Sequence, residues 1–96
     1  MIEISRFRLA DDVASEAFLE KNAIFQQEFI YQQAGLLRRS VASGLDGVWV
    51  ALTWWRSMSD ARRCHSAMTS SPVAKDLSAL MDLSTLETEY FKELPG

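Results

Sequence analysis

Residues 48–65 read VWVALTWWRSMSDARRCH, and how this stretch folds decides the architecture of the chain. Its first half, residues 48–55, is the most β-prone run in the sequence, built from Val, Trp, Leu and Thr. Alternation puts Val48, Val50, Leu52 and Trp54 on one face and Trp49, Ala51, Thr53 and Trp55 on the other. Both faces are apolar, the pattern of a central strand covered on both sides. The second half turns through Arg56-Ser57-Met58-Ser59 into a helix starting near Asp60, with Ser57 or Ser59 as its cap. Ala61, Cys64, His65 and Met68 share one side of that helix, and His65 is the sole histidine.

Working outward, residues 36–43 (LLRRSVAS) form a strand joined to this one through Leu45-Asp46-Gly47, where Asp-Gly is a strong hairpin signal. Residues 2–9 (IEISRFRL) form another. Ile2 and Ile4 share one face and Phe7 and Leu9 the other, which implies two partly covered faces or a bulge near Ser5. Between these strands, residues 12–33 are expected to be one long helix. Its stripe is Val13, Ala17, Phe18, Ile24, Phe25, Phe29 and Gln32, with Asp11 or Asp12 as N-cap and Gly35 as C-cap. Downstream, Ser71 caps a turn opened by Pro72. A helical segment over 72–82 then turns Val73, Leu77, Leu80 and Met81 inward, and residues 85–94 make the last strand.

The order strand, helix, strand, strand, helix, strand is the split β-α-β arrangement. The fold class is α+β and ferredoxin-like (βαββαβ): a four-stranded antiparallel sheet with two helices on one face. The face without helices would still carry tryptophan or aliphatic side chains, and an apolar patch of that kind marks an interface. A homodimer formed by stacking two sheets, a dimeric α+β barrel, is therefore expected.

Composition narrows the partners. The 96 residues suit one domain spanning 1–96. A net charge of −3, with no basic block beyond the doublets Arg38-Arg39 and Arg62-Arg63, argues against nucleic-acid binding. An RNA-binding domain of similar element order would also need a basic-aromatic run that the third strand lacks. No 18-residue apolar run suggests a membrane span, and no signal-peptide pattern opens the chain. A single Cys fits a reducing cytoplasm, and one Cys with one His makes a His/Cys metal site an unexpected feature.

The chain resembles the antibiotic biosynthesis monooxygenase family of the dimeric α+β barrel superfamily. The likeness rests on element order and on an aromatic strand end (Trp55), a serine-rich turn (residues 56–60), Ala61, His65, and the Ser71-Pro72 step. The turn and the gap to Ser71-Pro72 run longer than the family's, and Thr53 stands where Glu is common. The resemblance implies a pocket between sheet and helices and a cofactor-free oxygenase acting on a small phenol- or quinol-like aromatic, with neither metal nor prosthetic group. A related haem-degrading branch needs an Asn on the first strand, and a Trp with a later His on the second helix. This chain offers Ser5, Cys64-His65 and no further histidine.

Within that reading His65 is the candidate general base, because imidazole titrates near neutrality. Trp55 and Trp54, with Tyr31 or Tyr90, are candidates to stack on a planar substrate. Arg38, or one of Arg6, Arg8 and Arg39, is a candidate to hold the resulting anion. Trp55 is favoured over Trp54 as the pocket tryptophan. The structural alternatives are a packing histidine, core or interface tryptophans, and arginines paired across the sheet with Glu3, Glu87, Glu89 or Glu93. The alternative function is a binding protein that holds an apolar or aromatic metabolite without turnover.

Overall fold

The computed structural model describes residues 1–96. Strand β1 spans Ile2–Leu9, helix α1 Ser15–Glu28, β2 Leu36–Ser43 and β3 Trp49–Trp55. Helices α2 (Met58–Met68) and α3 (Pro72–Ser78) precede β4 (Met81–Phe91). The four strands form one antiparallel sheet in the order β2-β3-β1-β4. The strand that alternation marked as central, β3, is central, with β1 beside it, and the helices pack on one face, an α+β ferredoxin-like fold.

Trp49, Thr53 and Trp55 are buried on the helix face, with Glu3 and Phe7 of β1 beside them. Phe18 of α1 closes on Phe7 and Trp49, with ring centroids 5.5 and 4.9 Å away. Such pairs add about 0.5–1.5 kcal/mol each beyond area burial. The opposite face is uncovered in the monomer and presents Ile2, Ile4, Val50, Leu52 and Trp54, all partly exposed.

Several boundaries differ from the sequence-based expectation. The long helix is shorter: Phe29 leaves helical geometry (φ −132°, ψ −65°), and a 3₁₀ turn over Ile30–Gln32 follows. The break lets Phe29 and Ile30 both enter the core. Ala14, not Asp11 or Asp12, is the N-cap, and Asp12 adopts a left-handed turn at φ 65°, a conformation Asp tolerates. Gly35 does not cap α1. It sits at φ +83° in the approach to β2, where a Cβ would overlap the Asp60 carboxylate. The helix expected from near Asp60 and the segment expected over 72–82 are both present, as α2 and a shorter α3. Ser57 caps α2, its Oγ accepting the Asp60 N–H at 3.2 Å, and Ser71 caps α3 in the same way through Ala74. Ser71-Pro72 separates them because proline has no N–H to continue a helix. Met81 opens β4 instead of ending a helix; the β1–β4 register breaks between Arg6 and Arg8, and a bulge in β4 tied by Asp82, Ser84 and Thr85 takes up the extra residues.

Candidate functional site

A cavity of about 230 Å³ lies between the helix face of the sheet and the helices. Its walls are mostly apolar, with Phe18, Phe25 and Trp55 among them. Its charged and imidazole groups come from three elements, Glu3 on β1, Arg39 on β2 and His65 on α2, with the hydroxyls of Ser5, Thr53 and Thr88 beside them. Each is placed by local rules. Glu3 shares the alternate face of β1 with Ser5 and Phe7. Arg39 reaches the helix face because the β2–β3 register shifts between Leu36 and Arg38. The extra residue, Leu37, is extruded and exposed, so Leu36 and Arg39 both point inward although three apart. His65 follows from the Ser57 cap, which sets the phase of α2.

Glu3 is 9% exposed and its Oε1 accepts two bonds. The Trp55 indole Nε1–H donates at 2.9 Å, and His65 Nε2 lies at 3.0 Å. Indole nitrogen only donates, so Oε1 is held as an acceptor, and His65 faces it with an N–H. Nδ1 is then the imidazole atom that gains or loses a proton. The bond to Glu3 raises the His65 pKa above its ordinary value, against the opposing effect of burial. Tyr90 completes the cluster from β4, its hydroxyl 3.5 Å from His65 Nε2 and the two rings 6.3 Å apart. Burial and then the Glu3 charge push the Tyr90 phenol up, so it stays protonated near neutrality.

Arg39 is held from the helix layer. Its Nη1 donates to Asn22 Oδ1 at 2.8 Å and to Gln26 Oε1 at 3.0 Å, and its guanidinium lies over the Phe25 ring at 5.2 Å. Desolvation lowers its pKa to about 10, which leaves it charged at neutral pH. Cys64, beside His65, is buried and its thiol is pushed up to about 12 by desolvation, so it packs as a small apolar group. Nowhere do three His, Cys, Asp or Glu side chains converge as a metal site requires. No helix is long and apolar enough to cross a membrane.

The candidates named from sequence divide. His65 and Trp55 line the cavity. Trp54 lies on the uncovered face, and Arg38 stacks over its ring there at 4.8 Å, so this pair is outside the cavity. Tyr31 is 56% exposed on the 3₁₀ turn, also outside it. Arg6 pairs with Glu89 at 2.6 Å on the uncovered face, an arrangement weighed for the strand arginines. From sequence, Glu3 is expected only as a partner for those arginines. The signal that finds it is parity: it is an acid on the same alternate face as Phe7. Asn22 likewise sits on the stripe Phe18, Asn22, Phe25, Phe29, all buried at helical spacing.

No protein-family model and no curated protein matches the sequence. Solved structures do match. SnoaB, a cofactor-independent oxygenase from Streptomyces nogalater, superposes with a TM-score of 0.79 at 23% identity, over 99% of this chain and 93% of that one. A Nitrosomonas europaea protein assigned to the antibiotic biosynthesis monooxygenases gives 0.73 at 17% identity, over 98% of each chain. One from Chloroflexus aurantiacus with the same assignment gives 0.68 at 18%, over 99% and 93%. By strand order, helix placement and near-complete coverage, the chain has the ferredoxin-like α+β fold of the antibiotic biosynthesis monooxygenase structures.

Proposed function

We propose that this protein is a small cytoplasmic monooxygenase that needs no metal or prosthetic group and oxidises a phenol- or quinol-like aromatic in the cavity between sheet and helices. The observation that carries the reading is the Glu3–His65 pair, an acid–base unit opening on a mostly apolar cavity with aromatic walls. The likeness to SnoaB supports the reaction type by analogy of fold. In this reading His65 takes the proton of the substrate hydroxyl, and Glu3 stabilises the imidazolium that forms. The electron-rich anion then reduces dioxygen with its own electrons. One oxygen atom is retained as a ring carbonyl and the other leaves as water, which carries away the hydroxyl proton taken up by His65 and the one hydrogen lost from the reacting ring carbon.

The working form is a homodimer, built by stacking the uncovered faces so that Ile4, Leu52 and Trp54 leave water. Light scattering at micromolar concentration would give twice the monomer mass; a monomer would remove that part of the proposal. The reaction itself is tested with an oxygen electrode and a panel of anthrols, naphthols and quinols. Wild type consumes oxygen with at least one of them, and His65→Ala loses about 100-fold or more of the rate while retaining its fold by circular dichroism. If no member of the panel consumes oxygen yet several quench tryptophan fluorescence, the protein binds such molecules without turning them over.

A further inference from the structure

One row across the sheet holds both the cation and the carboxylate of the cavity. Arg39 on β2 is paired with Thr53 on β3, Thr53 with Glu3 on β1, and Glu3 with Tyr90 on β4. All four residues occupy the helix face of that row. The cation and the carboxylate are therefore two strand spacings apart, roughly 10 Å between backbones. Glu3 is taken up by Trp55 and His65. It does not neutralise Arg39, and no other carboxylate lies within salt-bridge distance of that guanidinium, whose only side-chain partners are the neutral amides of Asn22 and Gln26. Both of those bonds use Nη1, leaving the donors on Nε and Nη2 uncommitted to other side chains.

A desolvated cation without a counter-charge is costly. Neutral amides fix the position of a guanidinium, and the Glu3 carboxylate favours its charge only from a distance, with no carboxylate in contact. A planar fork with free N–H groups on a cavity wall matches a carboxylate, which it can grip with two parallel bonds. Phe25, stacked against Arg39, and Trp55, at the opposite end beside Glu3, offer flat apolar surface on which a ring system can lie.

We infer that the cavity selects an aromatic acid: Arg39, held by Asn22 and Gln26, binds a carboxylate at one end of the ring system while the hydroxyl to be deprotonated lies at the other end beside His65 and Glu3. This rests on the proposed function for the role of the hydroxyl, and it names the substrate class. Arg39 acts here as a specificity residue that orients the ring. A neutral phenol of the same size lacks the group that fixes its direction in the cavity.

The test is calorimetric and needs no turnover. Three probes are titrated into the wild-type protein: 2-naphthol, 6-hydroxy-2-naphthoate with its two groups at opposite ends, and 3-hydroxy-2-naphthoate with them adjacent. The 6-hydroxy acid binds about tenfold or more tighter than 2-naphthol, as a new charge-assisted pair allows, and the 3-hydroxy isomer shows less of this gain. In Arg39→Met the ratio between the 6-hydroxy acid and 2-naphthol collapses toward one, and Arg39→Lys keeps part of it. Equal affinities for the acid and 2-naphthol in wild type overturn the inference even if Arg39→Met does not fold, and so does a ratio that survives in Arg39→Met. If no probe binds at millimolar concentration, the inference and the small-aromatic reading fall together. If the acid is preferred through Arg39 but oxygen is never consumed, the subsite stands and only the oxygenase reading fails.

Discussion

On the helix face of the sheet Trp55 is 1% exposed, and its indole N–H donates to the carboxylate of Glu3. On the other face Trp54, its neighbour in the chain, lies partly exposed beneath the guanidinium of Arg38. The same contrast holds for the charged groups. Glu3 is enclosed and shared between Trp55 and His65, whereas Glu89 meets Arg6 in an ion pair whose side chains are about half exposed. Residue types are nearly the same on the two faces, and what differs is dielectric and partner number. A buried carboxylate must have its lone pairs satisfied and so fixes its surroundings, while an exposed pair is screened and costs little to lose. The two faces should therefore respond very differently to substitution.

The sharpest contrast is between the tryptophans. Trp55→Ala empties a fully buried site and should cost about 3–5 kcal/mol, read as a lower denaturation midpoint in urea at unchanged slope. Trp54→Ala should cost clearly less in the monomer. In the proposed dimer its effect should appear as a weaker, concentration-dependent association. Equal losses from the two changes would erase the distinction between the faces.

Glu3→Ala comes next. It strands the buried Trp55 N–H, which costs about 1–3 kcal/mol, and removes the partner of the part-exposed His65 ring. Glu3→Gln retains an acceptor for Trp55 but not the charge, so it should recover much of the stability while altering the titration of His65. Proton-resolved NMR of the imidazole would show the difference.

The pH dependence follows from that titration. Because the folded protein holds His65 above its ordinary value, the stabilisation from the Glu3 pair is complete below about pH 6.5. It is lost as pH rises through the folded-state pKa. The side chain is 40% exposed, so screening keeps the effect under about 1 kcal/mol. Tyr90 also faces the imidazole, and the charge of Arg62 acts on Tyr90. The slope should vanish in Glu3→Gln. If the oxygenase proposal holds, the rising limb of kcat/KM should follow the same proton, and Glu3→Gln should move it to lower pH.

Least sensitive is the exposed pair. Replacing Arg6 or Glu89 by Gln should change stability by about 1 kcal/mol or less, and less still in high salt. A larger change in the monomer would mean that the uncovered face is not solvated as its exposure implies.

Much of the fold is legible in the residues themselves. The limits of β1 and β2, the Ser57 and Ser71 caps and the assignment of Trp54 and Trp55 to opposite faces all depend on alternation or on a hydrogen bond to a group three residues away. Helix α1 was less legible, because its buried stripe includes Asn22 and its end at Phe29 depends on core contacts that propensity does not encode. The candidate site divides on the same line. His65 and Trp55 stand out by type and position. Arg38 and Arg39 are the same residue type in one strand, and only the bulge at Leu37 decides which of them enters the cavity.

What the sequence determined by itself was the order of elements and the parity of each strand, because those follow from steric and solvation preferences acting over a few residues. What only the tertiary structure decided was which face the helices cover, and hence which tryptophan is enclosed. It also decided that Glu3 meets Trp55 and His65, 52 and 62 residues further along. Contacts of that separation are settled by how the layers pack, and packing is a property of the whole chain.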